Sequence, residues 1–169
     1  MLWSEVDLLN RVWTIPGLRM KSGREHRVPL SDRAVTILGG LKHLPDNPHV
    51  FPGAKHGRGL SSRALSAVLG RMQGSVTQDS VTVHGFRSSF RTWAAERTNY
   101  PREICEVALA HTVGDETERA YQRGDLLDKR RRLMDQWSAF CRSKPRSKSG
   151  NVLPLRRAGR GRRREAVLS

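Results

Sequence analysis

The sequence predicts a mainly α domain with a small antiparallel β-sheet, or hairpin, at its N-terminal side, an α+β fold. Three observations lead there. Val12-Trp13-Thr14-Ile15 is a β-branched and aromatic run closed by Pro16-Gly17, which suits a strand entering a turn. Leu65, Val68, Leu69 and Met72 recur at i, i+3, i+4 and i+7, the spacing of one helix face. Two further stretches, one from Val83 and one from Leu126 to Cys141, repeat apolar residues in the same way. With 169 residues, 37% of them hydrophobic and including four Trp and four Phe, the chain has material for one core.

Taken in order, Val6 and Leu8 alternate with acids and begin the sheet, and a strand from His26 to Leu30 is expected to face Val12–Ile15. Between them, Leu18 to Arg24 carries Gly23, so Lys21 is expected near the tip of a β-hairpin. Ser31-Asp32 is an N-cap signal for a helix with Ala34, Ile37, Leu38 and Leu41 inward, weakened at Gly39-Gly40 and ended before Pro45. A polar loop through Pro48, Pro52 and Gly59 leads to Ser61 or Ser62, either of which can cap the next helix, whose stripe is an ordinary core-facing pattern. On the helix from Val83, residues Val83, Phe86, Phe90, Trp93 and Ala94 lie along one side, while His84, Arg87 and Arg91 form an adjacent basic stripe. Pro101 opens a short helix with Ile104, Val107 and Ala108 inward. The last helix presents Leu126, Leu133, Met134, Trp137 and Phe140.

A net charge of +15 points to a polyanion as partner, because clustered Lys and Arg bind a phosphate backbone by releasing its counterions. Ten of the basic residues stand from Arg142 onward, against the single acid Glu165. The division expected is a domain over 1–141 and a basic, disordered tail over 142–169, which serves as a sequence-blind nucleic-acid arm, a solubilising end or an extension without a role. Cys105 and Cys141, 36 positions apart, suit free thiols, and neither a signal peptide nor an apolar run of membrane length occurs, so a cytoplasmic protein off the membrane is expected.

The chemistry gathers in four motifs: Lys21 ahead of Arg24-Glu25-His26-Arg27-Val28-Pro29-Leu30-Ser31, then His84-Gly85-Phe86-Arg87, then Leu109-Ala110-His111, then Ala120-Tyr121-Gln122-Arg123. Two histidines, an arginine and a tyrosine can act together on one phosphodiester. By spacing alone, His84 and Arg87 share a helix face that could equally be a solvated basic surface. His111, at i+7 from Ile104 and i+4 from Val107, would be a buried structural histidine. The order and context of the four motifs resemble the catalytic half of the tyrosine recombinases, the phage and prophage integrases, over about Leu2 to Cys141. The hairpin and the last helix look most like integrases of the P4 phage type.

That resemblance implies an enzyme that cuts and rejoins double-stranded DNA at attachment-like sites through a 3′-phosphotyrosyl bond, without a cofactor. Tyr121 is implied as the nucleophile, since a phenolate both attacks and later leaves. Arg87 is implied to clamp the phosphate, His84 to donate to it or accept the phenol proton, His111 to hydrogen-bond the phosphate, and Lys21 to protonate the leaving 5′ oxygen. Arg19 and Arg24 compete with Lys21 for that role. Arg19, Arg24, Arg91 and Arg123 are expected to contact DNA, and the C-terminal helix or tail to dock on a neighbouring protomer in a homo-oligomer on DNA. The family's first catalytic arginine belongs ahead of Trp3, and its arm-binding and core-binding domains precede the catalytic one. A truncated catalytic domain, weak or inactive by itself, is therefore expected. The alternatives are a non-catalytic DNA-binding remnant, a topoisomerase-like nicking and closing enzyme, and a metal nuclease built from some of His26, His43, His49, His56, His84 and His111.

Overall fold

The structure, a computed structural model, describes residues 1–73, 81–111 and 126–143. A three-stranded antiparallel sheet of order β1-β2-β3 occupies the N-terminal side: β1 is Val6–Asp7, β2 is Val12–Ile15 and β3 is His26–Pro29. Ile15 pairs with His26 and Val12 with Pro29, so β2 and β3 are the expected hairpin, joined by the ten residues 16–25. Five helices are described: α1 (Asp32–Gly39), α2 (Ala64–Gln73), α3 (Val83–Arg97), α4 (Arg102–Ala108) and α5 (Leu127–Arg142). None is long and apolar enough to cross a membrane.

Local chemistry accounts for the boundaries. The Ser31 hydroxyl accepts from Ala34 N at 3.4 Å and starts α1, and Thr82 Oγ1 accepts from Gly85 N at 3.0 Å and starts α3. α4 follows Pro101, whose fixed φ suits a helix entrance. Leu126, with φ 53°, turns the chain into α5.

Two apolar clusters divide the molecule. Leu30, Leu38 and Val50 are buried at the sheet side with Trp3, Trp13 and Ala34 against them. Phe90, Trp93, Ala94, Ile104, Cys105 and Leu133 form the other, where α3, α4 and α5 meet, and Trp137 sits edge-on to Phe90 at 5.5 Å. α5 joins the halves. Its Arg130, 1% exposed, donates from Nη1 to the carbonyl of Arg27 in β3 at 2.5 Å, and Arg131 donates to the carbonyls of Asn10 and Arg11.

Three expectations of burial are corrected. Leu65, Val68 and Met72 are exposed, because among the described residues nothing packs over that side of α2. Ile37 is exposed on α1, where Leu38 takes the interior. Val83 and Phe86 stay exposed because the core contact of α3 begins only at Phe90.

Candidate active site

The N-terminal half of α3 and the C-terminal end of α4 enclose an open cleft of about 360 Å³, lined by His84, Arg87, Arg91, Glu106 and His111 together with Ser88, Thr92 and Leu109. The basic stripe of α3 supplies three of these residues. Ser88 and Thr92 come from the same helix, and Glu106, Leu109 and His111 come from α4 and the way it ends. The N–H of Ala110 donates to Val107 O and that of His111 to Glu106 O, both at 2.9 Å, with Ala110 left-handed at φ 55°. This is a Schellman turn. It ends the helix before His111, so the helical spacing that would bury this histidine no longer applies, and its side chain is 47% exposed at the cleft.

Arg87 Nη2 donates to the carbonyl of Leu109 at 2.5 Å, which ties the guanidinium to the same turn. Arg91 Nε donates to Glu106 Oε1 at 2.7 Å, and His111 Nδ1 lies 2.5 Å from Glu106 Oε2. The hydrogen bond from His111 holds the Glu106 carboxyl below its ordinary range. Burial opposes that shift, and Arg91 adds to it by hydrogen bond and charge. Arg91, expected on DNA, is thus engaged within the protein.

Alanine is an unusual occupant of the left-handed position that a Schellman turn needs, because its Cβ crowds the carbonyl at a cost of about 1 kcal/mol. Ala110→Gly is expected to raise the unfolding free energy by roughly 0.5–1 kcal/mol, read from the denaturant midpoint at constant slope.

A second cluster stands at the hairpin. A Cβ on Gly17 would come 2.4 Å from the Gly23 carbonyl oxygen, so the loop closes on itself only with glycine there, and Gly23 adopts φ +67°. Lys21 lies exposed in this loop, which contributes no lining residue to the cleft. Arg19 Nη2 donates to Glu5 Oε1 at 2.5 Å, while Glu5 Oε2 accepts from Leu2 N at 2.9 Å and Trp13 Nε1 at 3.2 Å. Arg19, also expected on DNA, therefore pins the loop to Glu5, the residue just ahead of β1. Arg24, the third arginine or lysine of this region, is exposed. Burial pushes the Glu5 carboxyl upward, and the three donors outweigh it, so the net shift is down from 4.5.

Glu5 and Glu106 both have folded-state pKa values below those of the unfolded chain, so the stability they contribute is full above about pH 4.5 and is lost as pH falls through the folded values. Unfolding free energy measured by denaturant is expected to decline below that pH, and the decline is expected to be shallower in Glu5→Gln.

With this geometry in view, the comparisons with known proteins decide the lineage. Residues 1–126 match the phage integrase family. The chain belongs to that family. Over 154 residues it is 36% identical to prophage integrase IntA of Escherichia coli K12, covering 89% of this chain and 35% of that protein. It is 33% identical over 147 residues to prophage integrase IntS of the same strain, covering 85% and 37%. Against the integrase of Enterobacteria phage P4 it is 30% identical over 153 residues, covering 82% and 35%. The chain thus spans about a third of the length of these curated relatives, and no solved structure matches it significantly.

Of the integrase-like residues read from sequence, His84, Arg87, Arg91 and His111 come together at one cleft, and Lys21, Arg19 and Arg24 lie in the hairpin loop. Tyr121, Arg123 and the tail beyond Ser143 lie outside the described residues. Sequence reading missed Glu106. Its only local signal is Arg102 four residues earlier, a pair 3.8 Å apart with Arg102 84% exposed, which is an ordinary surface contact. The important partners, Arg91 and His111, lie on another helix and beyond a turn. Among the described residues no group of three His, Cys, Asp or Glu is placed to hold a metal ion.

Proposed function

We propose that this chain carries the strand-cleaving and strand-joining chemistry of a site-specific DNA recombinase. The observation that carries the proposal is the convergence of His84 and Arg87 from α3 with His111 from the end of α4 on one open, cationic cleft. A scissile phosphate seated there gathers negative charge on its non-bridging oxygens in the transition state. Donors fixed beforehand lower that barrier more than they stabilise the bound substrate. Arg87, its Nη2 held by Leu109 O, keeps further guanidinium donors for those oxygens. His84 and His111 supply ring nitrogens at the same cleft.

In this proposal Tyr121 attacks the phosphorus while its phenol proton passes to His84, a 3′-phosphotyrosyl bond forms, the P–O5′ bond breaks, and the 5′ oxygen leaves as a hydroxyl with a proton from Lys21. Rejoining reverses the step when a 5′ hydroxyl attacks and the phenol departs. Double-stranded DNA is the partner, held by Arg24, Arg123 and the basic residues from Arg142 onward. Several copies act together on it, because exchanging two duplexes requires four strand cuts.

The test is covalent trapping of the whole chain on nicked suicide duplexes in EDTA, read on a denaturing gel. A protein-DNA adduct that forms without divalent metal supports the proposal. Binding without an adduct overturns it in favour of a remnant that holds DNA and no longer cuts.

A further inference from the structure

We infer that Glu106 is a positioning residue of the cleft: its carboxylate holds His111 by Nδ1, so that Nε2 is the ring nitrogen presented to a phosphate or a phenol. The inference deepens the recombinase proposal and rests on it for the identity of the incoming group. The geometry of the clamp stands by itself.

Both carboxylate oxygens are used, one on each side. Oε1 accepts from Arg91 of α3 at 2.7 Å and Oε2 faces His111 Nδ1, beyond the turn, at 2.5 Å. The Glu106 side chain is 16% exposed and that of His111 is 47% exposed, so the anchor is largely buried while the tool projects into the cleft. When an imidazole donates its Nδ1–H to a carboxylate, the neutral ring keeps its lone pair on Nε2, and a second proton also goes to Nε2. In either charge state the same nitrogen meets the ligand. Removing the carboxylate frees the ring to rotate and lets the proton sit on either nitrogen. Arg91 keeps the carboxylate itself from swinging, and so acts through Glu106.

Two measurements on the full chain decide the matter. The first is the ¹⁵N spectrum of the histidine rings at about pH 8, above the ordinary histidine pKa of ~6.5, with the His111 signals assigned by comparison with His111→Gln. Nδ1 is expected to carry a proton in the unaltered chain and to lose it in Glu106→Ala. An Nδ1 without a proton in the unaltered chain, or one unchanged in Glu106→Ala, overturns the inference. The same spectra show whether each variant is folded.

The second is single-turnover covalent capture by Glu106→Gln, which keeps the size of the side chain and removes its charge. Capture is expected to slow by roughly 10- to 100-fold, with the duplex Kd changing less than about threefold. Unchanged capture overturns the inference. If even the unaltered chain forms no adduct, the recombinase proposal is what has failed, and the ring spectra alone decide on Glu106.

Discussion

Tyr121→Phe is expected to abolish the covalent protein-DNA adduct while leaving the duplex Kd within about twofold of the unaltered chain. The substitution removes one oxygen and nothing else. That oxygen is the only atom of the side chain able to form a phosphoester, which makes the expected loss complete. A substitute nucleophile would have to be another phenol, and Tyr100 is the only other tyrosine. Tyr100 packs against the cluster of Phe90, Trp93 and Leu133. An adduct that persists in Tyr121→Phe would therefore assign the attack to a different class of group, such as a serine or a histidine. Loss of binding together with the adduct would make Tyr121 a structural residue.

Much of the fold was legible because it is written in local chemistry. Ser31-Asp32 begins α1 through its cap, and Val12–Ile15 pairs with His26–Pro29 because β-branched runs flank a loop whose Gly17 and Gly23 allow a close backbone approach. Helical spacing also placed Phe90, Trp93, Ala94, Ile104 and Leu133 in a core. It failed where burial depends on a neighbour rather than on period. The stripe of α2 has the same spacing as a buried face, and Leu65, Val68 and Met72 are nevertheless exposed. Arg130 is the converse case. A guanidinium surrounded in sequence by Lys129, Arg131 and Arg132 reads as surface charge, yet α5 lies against β3 and Arg130 is buried with its donor on the carbonyl of Arg27.

The lining of the cleft was legible in part in its residue types and opaque in its pairings. His84 and Arg87 could be placed on one face because three residues make nearly one helical turn. His111 was misread by that same rule, since nothing in Leu109-Ala110-His111 announces that an alanine will take φ 55° and end the helix. The ion pairs of Arg91 with Glu106 and of Arg19 with Glu5 join residues on different elements. Composition counts those arginines as free positive charge for a polyanion, although a protein carboxylate holds each of them. Arg87 differs from both, because among the described residues its partner is a neutral carbonyl and no carboxylate forms an ion pair with it.

Arg87→Lys is accordingly expected to slow covalent capture by roughly 10²- to 10³-fold, about 3 to 4 kcal/mol of transition-state stabilisation. Lysine keeps the positive charge, so counterion release and the salt dependence of duplex binding are expected to stay the same. It lacks the planar fork, and with one ammonium it cannot hold the Leu109 carbonyl and also meet two phosphate oxygens in a fixed plane. The loss should therefore fall on the rate of capture and spare the Kd. Folding is a separate matter. The hydrogen bond to Leu109 contributes about 1 kcal/mol, so a denaturant midpoint showing a loss of that order is compatible with an intact cleft. Capture by Arg87→Lys within about threefold of the unaltered chain would mean that charge alone suffices and that the fork has no part in the transition state. A rate loss matched by an equal loss of affinity would instead make Arg87 a contact formed equally in the bound substrate and the transition state, and His84 and His111 would then have to supply the selective stabilisation.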